Sequence, residues 1–254
     1  MVAPAAAQID IVVGQSREDF KTRYRETYRI SRELSISEVE RLKDFLRRPP
    51  TAEQLSESEL ATLKNNVADS LISQSVLPER LFRSFITMYG TSDLGEIWRG
   101  YIVQKMPELC LRLTNADERS EGVRFLWDRA GEDEGPFMAE AVLGLDRLHA
   151  KRPELVSAER MSQNCAAWVA SPARKAAARR IVLQVLVNYD APAARRLALQ
   201  FLAKESDILL KASALATLGL IGNASDRPAV EAFRTHPDMR LSEAASAALK
   251  RLGG

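Results

Sequence analysis

The chain has 254 residues, 46% of them hydrophobic and 28% charged, with 36 basic and 34 acidic side chains and a net charge of +2. That suits a globular protein able to bury a sizeable core, and it is too balanced for composition alone to imply nucleic acid. No apolar run approaches the roughly 18 residues of a membrane-spanning helix, and the twelve glycines and eleven prolines cluster between apolar-periodic segments, which favours helices.

Met1–Gln8 lacks the basic and apolar regions of a signal peptide. A flexible natural terminus and the stub of a trimmed leader fit it equally, so a cytoplasmic chain and an exported domain are both compatible. Residues 9–14, I-D-I-V-V-G, form the one strand-like run. With no visible partner strand, residues 1–15 read as an extended arm. From residue 16 to 254 the pattern reads as a single helical domain. Ser16 with Asp19 is a plausible cap, followed by Phe20, Tyr24 and Tyr28 at helical spacing. Ser37–Glu40 and Ser56–Glu59 read as capping boxes, Pro78 as a helix start and Gly90 as a stop. Asp93 with Glu96 caps a long segment that Pro107 is expected to kink or break. Asn115 opens the next helix, the loop Gly131–Gly135 follows, and Pro136 begins another. Ser157, Ser171-Pro172, Asp190 and Asp207 open later helices. Large aromatic faces before the weak seam at 150–156 give way to alanine-rich ones after it.

Near the end, Asp207–Gly222 reads D-I-L-L-K-A-S-A-L-A-T-L-G-L-I-G, and its grammar returns at Ser242–Gly254. Leu218 falls on Leu249, Ile221 on Leu252 and Gly222 on Gly253, an offset of 31 residues. A worn earlier copy puts Leu183 and Leu186 in the leucine positions. A period of this size, one helix pair each, marks an α-solenoid, because a lone pair cannot bury its own apolar face. The run Ala214–Asn223 resembles the HEAT-like repeats of the phycobilisome-lyase type, whose consensus runs A-A-x-A-L-G-x-I-G-D. The resemblance is good over about residues 173–254 and generic before. It implies an all-α superhelix of HEAT/armadillo-like helix pairs, divergent over 16–150 and clearer over 157–254, and a scaffold or adaptor role. Lyase activity does not carry over, since no residues are there to carry it.

The chemistry of a catalytic, metal or cofactor site is not legible. His149 and His236 share no helix face with ligand-spaced partners, and nothing resembles a nucleophile elbow or phosphate loop. Cys110 and Cys165 sit among apolar neighbours as core thiols. Two features point outward. Ala173–Lys211 holds eight basic and three acidic residues, and Arg174, Arg179, Arg180, Arg195 and Arg196 could line one edge against an acidic partner or nucleic acid. Surface charge runs are more often plain solvated faces. Trp98, Trp127 and Trp168 could anchor an interface or stack on bases, though core packing accounts for them better. Trp168 with the five arginines is therefore the candidate partner-binding set. The expected function is non-enzymatic protein–protein interaction; the alternative is a nucleic-acid-binding helical-repeat protein of DNA-glycosylase-like HEAT fold.

Overall fold

The computed structural model describes residues 5–14, 18–52, 54–132 and 136–252. These are helical with no strand among them, and neighbouring helices pack on one another. Two compact units result, Met1–Arg124 and Phe125–Gly254. The division falls inside a helix, well before the 150–156 seam, where the sequence suggested one domain from residue 16.

The N-terminal unit holds α1 (Ala5–Val12), α2 (Phe20–Thr27), α3 (Ile36–Leu46), α4 (Glu57–Ile72), α5 (Leu81–Gly90), α6 (Glu96–Arg112) and the start of α7 (Ala116–Gly131). The expected extended arm is wrong over its described part. Residues 5–12 form α1, which buries Ile9, Val12 and Val13 against α2 and α3. Ile9, Val12 and Val13 are spaced i, i+3, i+4, a helical stripe. A single intervening aspartate had made the run look alternating. The cap proposed at Ser16 lies outside the described residues, and Asp19 alone caps α2 by accepting from the Thr22 amide at 2.8 Å. The first capping box is Ser35–Glu38, two residues before the expected one, while Ser56–Glu59 forms as read. Helix α6 runs unbroken through Pro107, held on both sides by buried Met106, Leu109 and Cys110.

The C-terminal unit holds the end of α7, then α8 (Met138–Lys151), α9 (Ala158–Ala170), α10 (Ala176–Tyr189), α11 (Ala191–Lys204), α12 (Ile208–Ile221), the short α13 (Arg227–Glu231) and α14 (Met239–Leu252). Residues 133–135 of the proposed Gly131–Gly135 loop lie outside the described residues, as does Gly253 of the repeat. Ser157, Asp190 and Asp207 cap their helices as expected, each side chain accepting from an amide of the first turn. Helix α10 packs on α8, α9, α11 and α12, and α12 in turn on α11 and α14. Burial sharpens the repeat. Val182, Ala214 and Ala245 are equivalent core positions, and so are Leu186, Leu218 and Leu249. Leu186, rather than Leu183, thus answers Leu218.

Helices α12 and α14 touch almost backbone to backbone. A Cβ built on Gly219 would stand 2.8 Å from Ala248 Cα, and one on Gly222 would stand 3.1 Å from Leu252 Cδ2. Both contacts pair C-terminal halves, so the two helices run parallel. Glycine at 219 is required by this approach.

Candidate functional site

The proposed basic edge does not assemble as an exposed surface. Arg174 is 5% exposed. Its Nη1 donates to the carbonyls of Ala130 at 3.0 Å and Glu132 at 3.2 Å, its Nη2 to that of Gly131 at 3.0 Å, and its guanidinium lies 5.3 Å from the Trp168 ring. Arg179 is equally buried. It donates through Nε to the Val169 carbonyl at 2.9 Å and through Nη2 to Glu205 at 2.7 Å, with its Cζ 4.8 Å from the Phe201 ring. Arg195 grips Asp226 with both Nε and Nη2 at 2.7 Å. Trp168 is itself buried and tilts against Trp127, their centroids 6.1 Å apart. Of the original set only half-buried Arg180 and exposed Arg196 face outward.

A general rule lies behind this. The last carbonyls of a helix have no partner within it and carry partial negative charge. In this chain, buried or half-buried cations supply the missing donors. Arg23 donates to Val12 at 3.1 Å and Arg48 to Val13 at 2.6 Å, closing α1. Arg112 closes α4 by donating to Ile72 and Gln74, Arg99 closes α5 through Tyr89, and Arg119 closes α6 through Leu113. Arg174 and Arg179 do the same for α7 and α9. Lys64, fully buried, donates to the Arg48 carbonyl just past α3 and sits 5.6 Å from the Trp98 ring. Arg23, Arg99, Arg119 and Arg179 are each the fourth residue of their helix. Side chains lean toward the helix N-terminus, so a long cation there reaches back across the connection to the preceding helix's end. That spacing was readable in the sequence and explains why basic residues accumulate without forming an anion-binding groove.

Nucleophiles fare no better. Cys110 and Cys165 are buried free thiols, and burial pushes each up to about 12, so both are neutral and unreactive near pH 7. The Tyr189 hydroxyl donates to Asp146 at 2.8 Å, and burial, then that bond to a carboxylate, raises its pKa. Among the described residues no group of three or more His, Cys, Asp or Glu could hold a metal ion.

What the C-terminal unit does present is an apolar stripe. Helix α12 is apolar at every position but Lys211, Ser213 and Thr217, close to the mark of a helix buried on all sides, yet Leu209, Ala216 and Leu220 are exposed, the two leucines at 44% and 67%. Spaced i, i+7, i+11, they share one face. Their equivalents are Ala177, Gln184 and Asn188 on α10, and Arg240, Ala247 and Arg251 on α14, all exposed. Counting about 100° per residue from the Gly219–Ala248 contact puts the α12 and α14 stripes on the same side of the helix pair. The repeat alignment marks Leu218 and Ile221 but not Leu220. Leu218 is a packing residue, at 0% exposure, but Leu220 is not. The signal missed was an apolar residue at nearly every position, more than neighbours on one face can bury.

No known protein family matches the chain by its family model, and no curated protein matches it.

Proposed function

We propose that the chain is a HEAT-like α-solenoid acting as a non-enzymatic protein-interaction module, a scaffold or adaptor. The observation that carries this reading is the exposed Leu209–Ala216–Leu220 stripe on a helix that is otherwise a core element of the repeat. Contiguous exposed apolar surface on a stable helix row is what protein interfaces use. Equivalent core positions on α10, α12 and α14 supply repeat-like support. The nucleic-acid alternative is weakened by the engagement of Arg174, Arg179 and Arg195 within the fold.

The test is cross-linking mass spectrometry in the native cells, followed by reconstitution of the partner from purified components and calorimetry. A saturable complex with defined stoichiometry is expected. Two results overturn the reading. One is catalytic turnover abolished by a single polar substitution. The other is salt-dependent duplex DNA binding lost on R180E with R196E, since displaced counterions make such binding fall steeply with salt.

A further inference from the structure

We propose that His236 is a proton-operated latch on the connection between α13 and α14. Neutral, it holds the residue from which α14 starts; charged, it releases it. The inference stands apart from the interaction-module reading and concerns how the fold responds to pH.

The latch is made of three consecutive residues, His236, Pro237 and Asp238. The Asp238 amide donates to His236 Nδ1 at 3.0 Å. A side-chain acceptor two residues before the donating amide is the arrangement of an Asx turn, here with an imidazole in place of Asn or Asp. Pro237 fixes the backbone φ between them, and the ring stacks on Phe233 with centroids 6.0 Å apart. Asp238 in turn organises the first turn of α14. Its carbonyl accepts from the Leu241 and Ser242 amides at 3.0 and 3.2 Å, and its Oδ1 accepts from the Arg240 amide at 3.0 Å. Release of Asp238 therefore loosens the helix start that seats the buried Leu241.

An accepting nitrogen carries no hydrogen, so neutral His236 keeps its proton on Nε2. Acid adds the second proton at Nδ1, and two donors then face each other across 3.0 Å. That bond must break. The charged groups around the ring have other contacts. On α12, Lys211 holds its Nζ 5.5 Å from the Phe233 ring, and Asp207 caps its helix and acts on Arg240. On the α13 side, Arg234 pairs with Glu231 at 3.0 Å and shares an open cavity with Glu243 of α14. The Asp238 carboxylate, which feels the charge of the ring, is held by Arg240 through Nε at 3.0 Å and Nη2 at 2.6 Å. Those bonds keep the Asp238 carboxyl below its ordinary 3.8, so it stays charged throughout the range in which histidines titrate.

His149, the second of the two histidines in the chain, is wired the opposite way. Its Nδ1 lies 2.8 Å from the Val156 carbonyl, which can only accept, so that nitrogen carries the proton. Protonating its other nitrogen leaves the bond in place. Mild acid thus acts on the connection between α13 and α14 and spares the one between α8 and α9.

The experiment follows the ring nitrogens and backbone amides of the full ¹⁵N-labelled chain by NMR from about pH 7.5 to about pH 5, which brackets an ordinary histidine. At neutral pH His236 should show the Nε2–H tautomer and His149 the Nδ1–H tautomer. On acidification the Asp238 amide should shift in step with the His236 ring. Its exchange protection, corrected for intrinsic rates, should fall about fivefold, as for the loss of one hydrogen bond. His236→Asn restores an acceptor that does not titrate, and should keep the protection and abolish its acid response. His236→Ala, with no acceptor, should show the low protection already at neutral pH. His149→Gln should leave the response of Asp238 unchanged. The proposal is overturned if His236 carries its proton on Nδ1 at neutral pH, or if the Asp238 amide does not follow the ring. It is overturned equally if the asparagine variant still loses protection in acid, or if His149→Gln removes the response. Should the alanine variant fail to fold, the tautomer of the parent and the asparagine variant decide the matter by themselves.

Discussion

The N-terminal unit and the last helices of the C-terminal unit solve the same packing problem with different materials. In the first, Phe45, Phe82, Phe85 and Trp98 fill the spaces between helices and are at most 1% exposed. Cations such as Arg23, Arg48 and Lys64 run over those rings to reach helix ends. In the second, Ala194, Ala198, Ala214, Ala245 and Ala248 line the contacts, and Gly219 lets two helices meet backbone to backbone. Large side chains can fill an irregular gap in many ways, so the first unit carries no fixed spacing. Close approach admits only small residues at fixed intervals, so the second repeats its sequence. Buried cations close helices in both units, while the last helices add close backbone approach, and substitutions can separate the two contributions.

The largest effects should come from the cations. Arg174→Ala strips donors from three carbonyls and is expected to lower stability by about 3 kcal/mol, because buried acceptors are left without partners. Arg196→Ala, on an exposed side chain with no carboxylate partner among the described residues, should stay within about 0.5 kcal/mol. Urea denaturation of the pair decides whether basic residues here are structural; equal effects would end that claim. In the N-terminal unit Lys64→Ala should cost about 3 kcal/mol, from the cavity and the lost bond together. Lys64→Met keeps the volume and should cost about half as much, the remainder reflecting the Arg48 carbonyl.

Steric fit is tested more gently. Gly219→Ala places a methyl 2.8 Å from the Ala248 backbone, so α12 and α14 must separate. Overpacking costs about 1–3 kcal/mol and better helix propensity returns up to about 1 kcal/mol, so a net loss near 1–2 kcal/mol is expected. Gly90→Ala, where a Cβ meets nothing within 4 Å, should be neutral or gain a few tenths of a kcal/mol. A Gly219→Ala protein as stable as the parent would show that the repeat does not depend on close approach.

Legibility in the sequence followed the same divide. The all-helical fold, the caps at Ser157, Asp190 and Asp207 and the α12–α14 equivalence were readable, because caps and small-residue contacts demand particular residues at particular spacings. Ser171-Pro172 opens no helix, since α10 starts at Ala176 behind Lys175. The α1 helix was missed since five residues with one polar position, Ile9 to Val13, fit two periods. The candidate site was misplaced because charge in sequence does not say what the charge touches. Arg179 and Arg196 look alike there, yet one closes α9 and the other faces solvent. The stripe at Leu220 was hidden by its likeness to Leu218, two positions away on a helix where almost everything is apolar.

The smallest expected effect separates the ionic from the steric contribution inside the second region. Asp226 is buried beside Arg195, whose two-pronged bond, reinforced by the Asn223 amide, holds its carboxyl below the ordinary value of 3.8. Because the folded value lies below the unfolded one, the carboxylate contributes its full stabilisation above about pH 4. That contribution is lost as pH falls from 3.8 through the folded value. Asp226→Asn keeps the shape and removes the charge. It should lower the melting temperature modestly at pH 7 and flatten its decline below pH 4, while leaving the cost of Gly219→Ala unchanged. If the acid slope of the asparagine variant matches that of the parent, the Arg195–Asp226 pair contributes nothing that titrates, and close packing alone holds the last helices.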